Sequence, residues 1–150
     1  MPRVKVTRHP HYPHAQTLYV RVSDLNYGAH LGYDRILTLA HEARVRIFTG
    51  WQLTELDLGD GKTGLVAGDA SINYLGEGFA GDPLEIGTLA LEINPVTFRL
   101  AHRFVNHNTQ TLVAVAEIGF VAFDYARRTP GRFPESFLAH LSTLAAPQPQ

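Results

Sequence analysis

The sequence predicts an α+β domain in which one long central helix is wrapped by a five-stranded antiparallel sheet. Three observations predict it. Residues 32–48 carry apolar side chains at helical spacing on one broad face. The segments 64–75, 76–93, 98–105 and 112–125 are rich in Val, Ala, Leu and Phe and are separated by turn signals. A further strand candidate precedes the helix. A helix with one apolar face must bury that face on another element, and four or five antiparallel strands supply the surface.

The elements follow in order. Residues 1–15 are rich in Pro and His, show no period, and read as an arm. Gln16 to Val22 reads as a short strand. The polar, glycine-bearing stretch SDLNYGAHLGYD (23–34) leads into the helix. On a wheel at ~100° per residue, Tyr33, Ile36, Leu37, Leu39, Ala40, Ala43, Ile47 and Phe48 share a face. Asp34, Arg35, Thr38, His41, Glu42 and Arg46 lie opposite, with Arg44 an exception on the apolar side and Val45 on the polar side. Gly50 is a stop signal, and a second, short helix is expected near residues 51–57. The GDP at 81–83 marks a turn, and NHNTQT (106–111) marks a hairpin loop. A last short helix is expected at about 135–144, then a frayed tail over 145–150. No linker divides the chain, so residues 1–150 read as one domain.

Composition narrows the function classes. A chain of 150 residues can bury roughly two thirds of its unfolded surface and needs no staple. It has no Cys, hence no thiol nucleophile and no Cys-based zinc site. The net charge of -1, with scattered basic residues, gives no electrostatic footprint for nucleic acid. No apolar run is long enough to span a membrane, and the first 16 residues lack the apolar stretch of a signal peptide. A soluble, cytoplasmic protein is expected. His9, His11 and His14 lack helical i,i+4 spacing and are interrupted by prolines, so they do not read as a metal site.

The pattern strand–S-D-L-N-x-G-x-H-L–helix–E-A-R resembles the hotdog-fold thioesterases of the 4-hydroxybenzoyl-CoA thioesterase type. That family typically shows D-x-D-x-x-G-H-V-N-N and a helix ending in E-E-A-R. The matching residues are Asp24, Asn26, His30, Leu31, Glu42, Ala43 and Arg44. NYLGEGFAGDPLEI (73–86) is similar to the family's Y-x-x-E-x-x-x-G-D-x-L-x-V, and the strand ending FVAFDY is in its style. The resemblance covers about residues 16–135. It implies a dimer whose sheets join edge to edge, often a tetramer, with an active site at the subunit interface by the helix N-terminus. It also implies acyl-CoA or acyl-carrier-protein thioesters as ligands. No cofactor is implied beyond the coenzyme A of the substrate.

Thioester hydrolysis needs a donor for the oxyanion and a nucleophile or a base. The first turn of a helix leaves backbone N–H groups without intrahelical partners, and its dipole adds positive charge there. The family match puts the polarising N–H on Tyr33. Gly28 and Gly32 would let a ligand approach the backbone. At the second carboxylate of the family's D-x-D this chain has Asn26, which can orient water or bond a carbonyl but cannot take a proton. The base candidates rank His30, then Asp24, then Glu42; an imidazole suits the work near neutral pH.

Each candidate also has a plainer reading. Asp24 and Asn26 suit turns or caps, and His30 suits a packed interface position. Glu42 and Arg46 form an i,i+4 pair in the favourable order. Arg44 is expected to reach across a dimer or to pair with a buried carboxylate. Asn73, Tyr74 and Phe79 could line an acyl pocket, with core packing the simpler account of the two aromatics. Arg127 and Arg128 could meet CoA phosphates or simply sit in a solvated loop. The leading reading is an acyl-CoA thioesterase. The alternatives are a non-catalytic acyl-thioester-binding protein and a hotdog 3-hydroxyacyl dehydratase.

Overall fold

A computed structural model describes residues 2–147. Two helices and six strands follow one another as β1 (His14–Tyr19), α1 (Arg35–Gly50), β2 (Thr63–Tyr74), β3 (Pro83–Leu91), β4 (Thr97–Asn106), β5 (Thr111–Asp124), β6 (Thr129–Pro130) and α2 (Glu135–Ser142). The strands form one antiparallel sheet in the order β1-β3-β4-β5-β2, with β6 added beside β5.

Period-2 alternation decides which face of the sheet receives α1. Leu84, Ile86 and Ala90 on β3, Phe98, Leu100 and Phe104 on β4, and Ala114, Ala116, Ile118, Phe120 and Ala122 on β5 join one core. From α1 it takes Ile36, Leu39, Ala40, Ala43, Ile47 and Phe48. The alanines of α1 and β5 carry small side chains, and α1 comes within 8 Å of β5 between Cα atoms. Phe137 of α2 closes the core at the C-terminal end of α1. It meets Phe48 at 5.5 Å and Phe98 at 5.7 Å between ring centroids.

Several details differ from the sequence reading. The sheet has six strands rather than five, because the chain after β5 folds back as the two-residue β6. The helix is covered on one side only; Leu37, His41, Glu42, Val45 and Arg46 remain exposed. It begins at Arg35 rather than Gly32, because the Arg35 N–H closes a turn onto the Gly32 carbonyl at 3.0 Å. Residues 51–57 form turns and no second helix. Gln52 has φ 61°, which ends helical geometry, and a Thr54–Asp57 bridge follows. Of the two roles expected for Arg44, it takes the pairing with a carboxylate, donating from Nε to the partly buried Glu55 at 2.6 Å, with its guanidinium 4.6 Å from the Phe120 ring centroid. Just before the tail, the Ala90 N–H donates to the Leu144 carbonyl at 2.8 Å. Of the tail, residues 148–150 lie outside the described residues, as does Met1 of the arm.

The arm is a strap rather than a loose segment. Tyr12 is buried against Leu89 and Ala101 on the sheet face opposite α1. A Cβ on Gly87 would come within 2.8 Å of the Tyr12 side chain, so the bare backbone there admits the ring. Farther along, the Asn73 side chain holds the strap at both ends of a three-residue span. It accepts from the Val6 N–H at 2.8 Å and donates to the Val4 carbonyl at 2.7 Å.

Candidate functional site

The stretch between β1 and α1 folds as a small hairpin. The Leu25–Leu31 bridge is its rung. The Gly32 N–H donates to the Asp24 carbonyl at 2.9 Å and the Asn26 N–H to the His30 carbonyl at 2.8 Å. Alternation sends Leu25 and Leu31 toward the core, where both pack, and sends Asn26 and His30 outward. Asn26 closes the tip as an Asx turn, its Oδ1 accepting from the Gly28 N–H at 2.9 Å. The ring of His30 lies over Gly28, where an added Cβ would meet Nε2 at 3.0 Å. His30 Nδ1 is 3.3 Å from the Leu31 carbonyl and 3.5 Å from Asn26 Nδ2. A proton on Nδ1 would satisfy the shorter contact and leave the Nε2 lone pair to act as a base, whereas a proton on Nε2 would let Nδ1 accept from Asn26.

Asp24 anchors this hairpin. Its side chain is fully buried and accepts from the Arg21 backbone N–H at 2.8 Å, from Arg21 Nε at 3.1 Å and from Nη2 at 3.0 Å. Burial alone would raise the carboxyl pKa, but the hydrogen bonds and charge of Arg21 outweigh it and hold the group below the ordinary carboxylate range. A carboxylate so engaged is a weak base.

The helix mouth follows directly. The Gly32 N–H is spent on Asp24, and a Cβ on Gly32 would come within 2.7 Å of Asp34 Oδ1; this glycine makes room for the chain's own carboxylate. The Tyr33 and Asp34 N–H groups find no acceptor among the described residues. Tyr33 is exposed, outside the core face the helical wheel gave it. Its carbonyl accepts from the Tyr74 hydroxyl at 3.0 Å, and the two rings meet edge to face at 6.4 Å. Burial, then the nearby Tyr33 and Asp34, push the Tyr74 pKa up, so its proton stays on that bond. Phe79 is tied to the same region because the Leu31 N–H donates to the Gly78 carbonyl at 2.7 Å. The turn carrying Phe79 is fixed by Asp82, which accepts from the Phe79 N–H at 2.9 Å and from Asn106 at 2.7 Å.

The remaining candidates are scattered. Glu42 is exposed and accepts from Arg46 at 2.9 Å. Asn73 is engaged with the arm. Arg127 and Arg128 follow Asp124, which pairs with Thr63, whereas Tyr74 at the other end of β2 pairs with Ala114. At ~3.3 Å per residue that separation is roughly 35 Å, so one chain does not bring the arginine pair to its own helix mouth. Two residues that the sequence reading did not rank among the catalytic candidates stand at the mouth. Asp34 was assigned only to the polar helix face, and for Tyr74 packing was the simpler account beside a place in the acyl pocket, yet Tyr74 is 52% exposed. The signal for Asp34 was its place beside the residue whose N–H was singled out. Among the described residues no three His or carboxylate side chains gather to hold a metal, and no helix is long and apolar enough to cross a membrane.

An antiparallel sheet packed on one long helix is the hotdog architecture. The sequence profile of the thioesterase-like superfamily matches residues 20–141, and the chain belongs to that superfamily. Among solved structures, a 1,4-dihydroxy-2-naphthoyl-CoA thioesterase from Synechocystis superposes with a TM-score of 0.78 at 18% identity, over 89% of this chain and 98% of that one. A probable thioesterase from Escherichia coli gives a TM-score of 0.71 at 20% identity, over 91% and 100%. A Staphylococcus aureus protein solved in complex with CoA gives 0.77 at 16% identity, over 91% and 87%. At these identities the likeness establishes the fold. A search of curated proteins returned no match.

Proposed function

We propose that the protein is an acyl-CoA thioesterase, working in the cytoplasm as a homodimer or homotetramer, that hydrolyses a thioester to a carboxylic acid and free CoA. The observation that carries this reading is the free Tyr33 N–H at the start of α1, three residues after an imidazole with an available Nε2. The substrate carbonyl oxygen accepts from the Tyr33 N–H. His30 Nε2 takes a proton from a water whose oxygen attacks the carbonyl carbon. The C–S bond then breaks, and the proton passes from His30 to the departing thiolate. Asn26 shapes the hairpin that presents His30. Phe79 and Tyr74 border the acyl side. No cofactor enters beyond the CoA of the substrate.

The test is free-thiol release from a panel of aliphatic and aromatic acyl-CoAs. Release above background, lost in His30→Gln, is the expected result. Release lost in Asp34→Asn but kept in His30→Gln would move the base to Asp34. Binding of acyl-CoA without release from any panel member would favour a non-catalytic binding protein, the reading that Asn26 supports by replacing the expected carboxylate with a turn-forming amide.

A further inference from the structure

A groove of about 630 Å³ runs between the arm and the end of β2. Arg3, Lys5 and Arg8 line it, and Asn73, Tyr74 and Leu75 form its β2 side. Among the described residues no carboxylate lines it. None of the three cations makes an ion pair with the described residues, whereas Arg21, Arg44, Arg46 and Arg99 all do. Three cations on one short stretch of the arm repel one another. They stay in register because Asn73 clamps Val4 and Val6 and because Val6 is itself buried. The groove shares Tyr74 with the helix mouth, and the Tyr74 hydroxyl reaches the Tyr33 carbonyl. A ligand lying along β2 therefore passes from the cationic groove to the free Tyr33 N–H without leaving the surface.

We propose that Arg3, Lys5 and Arg8 form the binding site for the phosphates of coenzyme A, so that the nucleotide end lies under the arm while the thioester lies at the mouth of α1. The ligand's identity rests on the thioesterase reading. The cationic groove itself stands apart from that reading. Guanidinium and ammonium groups bind phosphate oxygens by charge-assisted hydrogen bonds. A clamped strap presents them with less ordering to be done on binding. The site also gives the arm a purpose beyond covering the sheet. Arg127 and Arg128 take no part in it.

The experiment compares the Kd of CoA with that of pantetheine, which has no phosphate, by calorimetry on the full chain. In the unaltered protein CoA should bind at least about tenfold more tightly. In Arg3→Gln/Lys5→Gln/Arg8→Gln that ratio should fall toward one, with the thermal midpoint held, since all three side chains are exposed. The preference should also shrink as salt is raised. A ratio unchanged in the triple variant, or lost in Arg127→Gln/Arg128→Gln instead, overturns the proposal. Equal affinity for inorganic pyrophosphate and CoA marks a site for free anions and overturns it as well. Hydrolysis with an unchanged ratio removes this site and leaves the thioesterase reading standing. A ratio lost without hydrolysis does the reverse.

Discussion

The two ends of α1 use similar side chains for opposite purposes. At the C-terminal end, Phe48, Trp51, Phe98, Phe133 and Phe137 meet one another at centroid separations of 5.2 to 6.4 Å. At the N-terminal end, Tyr27, Tyr33, Tyr74 and Phe79 are exposed, and the backbone beside them carries unpaired N–H groups. Mutual burial of rings gives stability, whereas exposed aromatics gathered in one region mark a candidate binding surface. The division places ring packing at one end of the helix and, in the proposed reading, the chemistry at the other. Substitutions at the two ends should therefore separate stability from activity.

The largest effect is expected for His30→Gln, with a fall in kcat of about 10²- to 10⁴-fold and a stability change within ~0.5 kcal/mol, measured by steady-state kinetics and urea melts. A parallel loss of stability would mean that His30 belongs to the packing instead. Phe137→Ala should cost about 3–5 kcal/mol in urea denaturation, with kcat per folded molecule preserved. If kcat fell as steeply as stability, the two ends would not be independent.

Acid sharpens the contrast, because a titratable group also lies under the middle of α1. His102 is fully buried, and burial first, then the charge of Arg44, holds its pKa down to about 3 from an ordinary 6.5. The unfolded chain takes up a proton in that interval and the native state refuses it. Stability is therefore complete above pH 6.5 and falls as the pH drops toward 3, by up to ~1.4 kcal/mol per pH unit. His102→Gln should flatten that slope in denaturation curves. Asp24 acts at lower pH: its folded pKa lies below its ordinary value of 3.8, so its stabilisation is present above 3.8 and is lost as the pH falls through the folded value. The smallest effect is expected for Tyr74→Phe, about 0.5–1.5 kcal/mol in thermal or urea melts for the lost bond to the Tyr33 carbonyl.

The helix, the four long strands and the Glu42–Arg46 pair were legible because each rests on local period or spacing. The Gly32 amide was not. Its acceptor is the carbonyl of Asp24, brought there by a hairpin whose rung depends on Leu25 and Leu31 reaching the core. The strap was missed for a related reason: a segment without period shows no preference until a glycine such as Gly87 opens room for Tyr12. Core was the simpler of the two readings for Tyr74 because apolar bulk in a strand usually is buried, and its position at the free end of β2 leaves it in the open.

A crystal structure with a non-hydrolysable acyl-CoA analogue tests the central claim most directly. The analogue's carbonyl oxygen should lie about 2.7–3.1 Å from the Tyr33 nitrogen, with His30 Nε2 facing the carbonyl carbon across one water. A carbonyl bound elsewhere, with the Tyr33 N–H still facing solvent, would contradict it.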